Sequence, residues 1–401
     1  MKLLTFTSLY PNAIKPSHGV FVENRLRHLV EGGRVEARVI APVPWFPWTH
    51  PRFGRYAEFA RVPDRELRLG LDIHHPRYPM LPSIAMSTVP LTMALSAKKT
   101  IASLIASGFD FDAIDAHYFF PDGVAAILLG QWFDRPVVIT ARGSDINMLP
   151  QYALPRRMIR WAAREAAAIV TVSRALKDGI VELGIAEEKI VVLRNGVDLE
   201  RFVPRPMHEA RARLGLAPDG LVVASVGHLV ELKGHHLAIE AVAAIPGATL
   251  IIAGGGPERT ALETLARRLA VQERVRFLGQ VPHDALPDVY GAANALVLAS
   301  SLEGWANVLL EAMACGTPAV ATDVGGSSEV VTAAAAGRLV CERNAPAITA
   351  ALVELLADPP DRAATRLYAE RFSWDETTRG QEQIFESLRA VPRGAVLKIS
   401  S

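Results

Sequence analysis

The sequence predicts an α/β protein made of two doubly wound parallel sheets in tandem. Short apolar runs alternate with helical patterns along most of the chain, which is how βαβ units around a parallel sheet read. A turn at Asn195-Gly196-Val197-Asp198, followed by Pro204-Arg205-Pro206, separates one such series from the next. The chain has 401 residues, 50% hydrophobic and 21% charged, which is enough for two domains with a core each.

Residues 3–7 read as a buried first strand, too soon broken by Tyr10-Pro11 to form a signal peptide. A helix over 19–30 follows, then a strand over 37–41. Gly19 opens that helix and lets backbone come close to a ligand there. Residues 42–82, rich in proline and aromatics, read as an irregular insertion, and 87–106 as a long apolar helix. Strands at 113–116, 136–140 and 168–172, with a helix from Gly123, complete the first series. The second has strands at 221–226, 249–253, 275–278, 295–299 and 319–322, with helices after Gly234 and from Pro257. From Arg371-Phe372-Ser373-Trp374 onward the tail reads as an amphipathic helix with Ser373 as its cap. Tandem sheets of this kind turn their carboxyl edges toward one cleft, and ligands bind at such edges.

Composition narrows the function classes. A net charge of +1 gives no bulk attraction for nucleic acid. Cys315 and Cys341, the 2 cysteines, form no disulfide framework or metal pattern, so a reducing compartment is expected. No run reaches the ~18 apolar residues of a membrane span. Residues 1–200 hold 24 Lys and Arg against 20 Asp and Glu, while the rest hold 19 against 22. The basic excess lies beside aromatics at Trp45-Phe46-Pro47-Trp48, Arg52-Phe53-Gly54-Arg55-Tyr56 and Arg156-Arg157-Met158-Ile159-Arg160-Trp161. Such interleaving suits an anionic membrane surface; loop packing with solvated arginines is the alternative.

The most informative segment runs from Ala299 to Gly326. Glu303 lies in a polar turn after an apolar run, and Glu311 follows eight positions later on a helix that Asn307 would cap and Gly316 and Pro318 would stop. Helix N–H groups hold phosphate, and carboxylates accept hydrogen bonds from sugar hydroxyls, so a nucleotide-sugar fits this layout. Glu-Gly, Leu-Glu-Ala-Met-Ala-x-Gly and the proline after it resemble the Glu-x7-Glu segment of family 4 retaining glycosyltransferases, a resemblance that extends over nearly the whole chain.

The resemblance implies the GT-B architecture. Residues 1–200 would form the acceptor-side domain and 201–372 the donor domain, with the helix of about 373–401 returning to the first. It also implies retention of anomeric configuration without a required metal or other cofactor. Gly227-His228-Leu229-Val230-Glu231-Leu232-Lys233-Gly234 looks like the family's diphosphate-binding loop, with Lys233 neutralising the leaving group. His228 stands in the arginine position and lacks the guanidinium fork. Gly254 and Gly256 resemble the family's Gly-x-Gly-Pro turn at the nucleotide site. His117, at a strand's carboxyl end, matches an active-site histidine able to bond a sugar hydroxyl or hold a transferring proton. Arg142 replaces the usual histidine of a Thr-x-His-Gly-x-Asp loop; it either touches a phosphate or anionic acceptor or pairs with Asp145.

The expected catalytic residues are therefore His117, Glu303 and Lys233. Gly19, Arg142, His228, Gly254, Gly256, Asn307, Val308 and Glu311 are expected at the donor, with Glu311 on the ribose and no metal ligand. The opening stretch, Thr7-Ser8-Leu9-Tyr10-Pro11 and then Lys15 to Val22, is similar to bacterial members that build surface polysaccharides, teichuronic-acid-type enzymes among them. That implies a UDP-sugar donor and a lipid-linked or polysaccharide acceptor at the inner face of the cell membrane. A non-catalytic nucleotide-sugar-binding subunit, a sugar-nucleotide epimerase and a dinucleotide-dependent oxidoreductase are the competing readings.

Overall fold

The structure is a computed structural model that describes residues 1–80 and 85–389. Residues 81–82 of the expected insertion and 390–401 of the expected tail helix lie outside them. The chain divides into two compact units, one of Met1–Arg194 with the chain from Glu376 onward, the other Asn195–Asp375.

The first unit contains strands β1 (Lys2–Phe6), β2 (Glu36–Ile40), β3 (Val43–Pro44), β4 (Arg65–Arg68), β5 (Leu71–His74), β6 (Arg77–Tyr78), β7 (Ala113–His117), β8 (Val137–Ala141), β9 (Ala168–Thr171) and β10 (Ile190–Val192). Eight of them form one sheet in the order β10-β9-β8-β7-β1-β2-β5-β4. Every pairing in it is parallel except β4 with β5. The central strands are mostly apolar and almost wholly buried, as strands covered on both faces must be, with Asp115 and His117 the charged or titratable exceptions on β7. The winding reverses between β1 and β7, so the loops leaving their carboxyl ends emerge side by side.

The helix Val20–Glu31 turns Val22, Leu26 and Leu29 inward at helical spacing. The helix Asp375–Arg389 returns to the same unit. Its Phe385 is buried in one cluster with Leu3, Leu29, Val138 and Val170.

The expected irregular insertion is more ordered than its composition suggested. β5 adds to β2 in parallel and β4 closes the edge as an antiparallel hairpin, while β3 and β6 make a separate two-stranded ribbon. Leu71 and Ile73 provide the buried positions of β5. Arg65-Glu66-Leu67-Arg68, an edge strand, is charged where a central strand would be apolar, and that hid the pattern.

The second unit holds β11 (Val222–Val226), β12 (Thr249–Ala253), β13 (Val275–Gly279), β14 (Ala295–Leu298), β15 (Ala319–Thr322) and β16 (Gly337–Val340), all parallel. Their order is β13-β12-β11-β14-β15-β16, so counted within the unit the strands run 3-2-1-4-5-6. This is a doubly wound order, and its reversal point lies between β11 and β14. Leu237, Ile239 and Val242 of the helix His235–Ala243 pack with Leu250, Ile252 and Val297 in its core.

Candidate active site

Two loops leave the reversal point of the second unit. One joins β11 to the helix His235–Ala243 and carries Lys233; the other joins β14 to the helix Asn307–Ala314 and carries Glu303. Because β11 and β14 are neighbours, the two residues meet although they are distant in sequence. Lys233 Nζ donates to Glu303 Oε1 at 2.6 Å, and Ser300 Oγ–H donates to the same oxygen at 2.6 Å. The Glu303 side chain is 7% exposed and that of Lys233 31%, so the carboxylate is held from inside while the ammonium reaches solvent. The loops are also joined through backbone, Ser301 N–H to the Leu232 carbonyl at 2.8 Å.

Glycines allow this crowding. Gly234 caps its helix with φ of 67°, and a Cβ there would stand 2.0 Å from the Ala299 carbonyl oxygen. Gly254 and Gly256 serve the same loop from the other side, where a Cβ would lie 1.8 Å from the Gly227 oxygen and 2.4 Å from that of Leu229. Their role is to let the Gly-rich turn pack on the loop bearing His228 and Lys233. His228 itself is exposed. Its carbonyl lies 3.3 Å from Nε2 of the buried His235, whose Nδ1 is 2.8 Å from Ser225 Oγ. Burial brings the His235 imidazole down to about 4, so it is a neutral packing group at pH 7.

Glu311 lies on the helix Asn307–Ala314. Tyr290 Oη–H donates to its Oε2 at 2.7 Å, and His283 Nε2 lies 3.4 Å from its Oε1. Arg201 Nη1 donates to His283 Nδ1 at 2.6 Å. A guanidinium cannot accept, so Nδ1 is the bare nitrogen and Nε2–H points at the carboxylate. Tyr290 and His283 were not singled out from sequence, since an ordinary tyrosine and histidine become partners of Glu311 only through the fold.

Asn307 is not the helix cap expected from sequence. The cap is Ala306, without a side-chain bond, and Asn307 is the first helical residue. Its Oδ1 accepts from Asn195 Nδ2 at 3.3 Å, which takes the side chain away from its own helix. In its first turn the Asn307 and Leu309 N–H groups donate to the Trp305 and Ala306 carbonyls, each at 3.1 Å, and the Val308 N–H is left for a ligand.

In the first unit His117 is fully buried at the end of β7. Arg142 Nη2 donates to its Nδ1 at 2.7 Å, and its Nε2 lies 3.2 Å from Asp115 Oδ2. With Nδ1 facing a donor, the ring is the Nε2–H tautomer. Burial, which Asp115 offsets only in part, and the charge of Arg142 bring it down to about 4. His117 is thus a neutral ring that orients Arg142. The Asp145 carboxylate accepts backbone N–H groups of Phe119, Arg142 and Gly143 and fixes the loop after β8.

Gly19 opens the helix Val20–Glu31 with φ of 72°, and a Cβ there would lie 2.2 Å from the Leu9 carbonyl oxygen. Asp122, unnoticed in the sequence, ties the loops after β1 and β7 together. Its carboxylate accepts from the backbone N–H of Ser8 and, at 3.1 Å, from Ser8 Oγ–H. Burial raises its carboxyl to about 7, with Asp145 adding to the rise and the Ser8 bonds opposing it.

Residues 63–201 match the model of Glycosyltransferase Family 4, and 207–372 that of Glycosyl transferases group 1. TuaC of Bacillus subtilis, named for teichuronic acid biosynthesis, is 30% identical over 335 residues, covering 82% of this chain and 83% of that one. A D-inositol 3-phosphate glycosyltransferase of Corynebacterium urealyticum is 30% identical over 77% of this chain and 79% of its own. Among solved structures, sucrose-phosphate synthase from Thermosynechococcus elongatus superposes with a TM-score of 0.80 at 22% identity, covering 97% of this chain and 99% of that one. Anabaena HepE, solved in complex with UDP-glucose, gives 0.71 at 21%, over 97% and 99%. Together with the two sheets described above, these matches show that the chain belongs to the family 4 glycosyltransferases and has the GT-B fold.

Proposed function

We propose that this glycosyltransferase moves a sugar, with retention of configuration, from a UDP-sugar to a lipid-linked or polysaccharide acceptor in the making of cell-surface glycan. The observation that carries the reading is the Lys233–Glu303 pair at the strand reversal of the second unit. An ammonium there neutralises a diphosphate as it leaves, and a carboxylate beside it takes donor-sugar hydroxyls or the positive charge developing at the anomeric carbon. The first-turn N–H of Val308, beside the Asn307 side chain, suits a phosphate, and Glu311, held by Tyr290, suits ribose hydroxyls. Gly254 and Gly256 shape the nucleotide loop, on which His228 offers an imidazole contact in place of a guanidinium fork. HepE with UDP-glucose supports UDP as carrier, and TuaC supports a cell-surface glycan.

Residues 201–372 are read as the donor domain. Residues 1–200 with the final helix are read as the acceptor domain, where Arg142, set by His117, and Gly19 face substrate. The reaction is read as needing no metal, Lys233 and the helix N-terminus supplying the charge. The protein is placed in the cytoplasm at the inner membrane face.

Thermal shifts with UDP, GDP, ADP and NAD, each with and without magnesium, test this. A ligand at ~100 times its Kd adds about 2.7 kcal/mol, which moves a melting point by several degrees. A metal-independent shift with UDP, followed by UDP release from a UDP-sugar that Glu303→Gln abolishes, is the expected result. Shifts with NAD alone would sink the reading.

A further inference from the structure

One flank of the first unit exposes large apolar groups next to unpaired cations. Trp45 and Trp48 are each 57% exposed. The backbone N–H of Trp45 donates to the Tyr78 carbonyl at 2.7 Å, which ties the chain there to the β3–β6 ribbon. Trp48 stacks on Phe53 with centroids 5.3 Å apart, and Phe46 meets both rings edge-on. Arg52 covers Phe53 at 4.6 Å. An aromatic patch that leaves two indoles in water marks a surface that something covers.

The helix Ala85–Ala106 packs on β6 and exposes Leu91 and Leu95. The helix Ala153–Glu165 packs against that helix in turn. At its start Tyr152 and Leu154 are exposed, and Arg156, Arg157 and Arg160 follow on its outer side. Those three arginines form no ion pair with any described residue, whereas Ile159, Ala162 and Ala163 are buried on the inner side. Exposed apolar groups beside unpaired arginines on one amphipathic helix match the boundary between headgroups and acyl chains. Tryptophan and tyrosine favour the same depth, apolar body inward and N–H or O–H toward water. Among the described residues no helix is long and apolar enough to cross a membrane, so any attachment through this flank is peripheral.

We propose that this flank, with Trp45, Trp48, Tyr152 and Leu154 as wedges and Arg156 and Arg157 as charge contacts, docks the enzyme on a bilayer containing anionic lipid. The proposal deepens the reading of a lipid-linked acceptor and rests on it for its purpose. Docking fixes one face of the acceptor-side unit to the surface where such an acceptor lies, so transfer becomes a two-dimensional search.

Vesicle flotation tests it with the full chain, using phosphatidylcholine alone and phosphatidylcholine with 30% phosphatidylglycerol. The wild type is expected to float with the anionic vesicles and to be released by high salt. Arg156→Gln with Arg157→Gln should weaken partitioning by about fivefold per charge, or roughly twenty-five-fold together. Trp45→Ala with Trp48→Ala should weaken it at least tenfold. Arg267→Gln with Arg268→Gln, which removes two exposed charges of the second unit, should leave it unchanged. The UDP-induced thermal shift, measured on every variant, reports separately on folding and on the donor-site reading. Equal binding to both vesicle types, absence of binding by the wild type, or equal losses from the second-unit pair overturn the proposal. Concentration-dependent dimerisation that the tryptophan variants abolish, without vesicle binding, would assign the flank to a second copy of the chain instead.

Discussion

Asp122 holds its proton more tightly in the folded chain than in the unfolded one, because burial raises its carboxyl from 3.8 to about 7. The folded state then carries the extra proton between those values, so this group makes stability fall as pH rises through that window. His117 acts in the opposite sense. Its imidazole falls from 6.5 to about 4, so its contribution grows as pH rises across that interval and is complete above 6.5. Between pH 6.5 and about 7, therefore, the Asp122 slope is no longer opposed by His117. Asp122→Asn is expected to lose less stability than wild type over that range in urea unfolding; an unchanged pH slope would remove Asp122 as its cause. At the donor site, Lys233→Ala should weaken UDP binding about ten- to a hundredfold, the range of one charge-assisted hydrogen bond. Isothermal titration with UDP measures this, and wild-type affinity in the variant would place the diphosphate elsewhere.

At the level of elements, two glycines separate two kinds of cost. Gly234 and Gly33 both have left-handed backbone, φ 67° and 70°, yet a Cβ meets the Ala299 oxygen at 2.0 Å in the first and nothing within 4 Å in the second. Gly33→Ala should cost about 1 kcal/mol from backbone alone, and Gly234→Ala about 1–3 kcal/mol more because two loops must part. Equal losses in denaturant unfolding would show that the Ala299 carbonyl is no obstacle. The same loops show what was readable in advance. Lys233 and Glu303 follow apolar strands and stand beside glycine or helix starts, and that local grammar marks a sheet's carboxyl edge. Ser300, Tyr290, His283 and Asp122 carry no local mark; the strand order alone brings them to their partners. β4 was missed because a charged edge strand contradicts the apolar rule, and Asn307 because its best partner, Asn195, lies far back in the chain.

Across the whole molecule, the first unit is finished by residues from the far end of the chain. Phe385, on the helix Asp375–Arg389, is buried with Leu3, Leu29 and Val138. Phe385→Ala should therefore lower the stability of the amino-terminal sheet by about 3–5 kcal/mol. Hydrogen exchange should accelerate in β1, β7 and β8, and in the second unit it should not; acceleration confined to the second unit would contradict this core assignment. The βαβ alternation that announced two sheets was legible because buried parallel strands are near-continuous apolar runs.

That return of the chain gives a direction to biosynthesis. A ribosome making this protein releases the amino-terminal sheet early but withholds Phe385 until Asn195–Asp375 has been translated. At ordinary elongation rates the wait is on the order of 10–40 s. During it the nascent sheet carries an open apolar seam where Phe385 will lie, while the second unit gains all its strands in one uninterrupted stretch. The order of completion is thus the reverse of the order of synthesis, and the last turns of helix made close the core begun by the first strand.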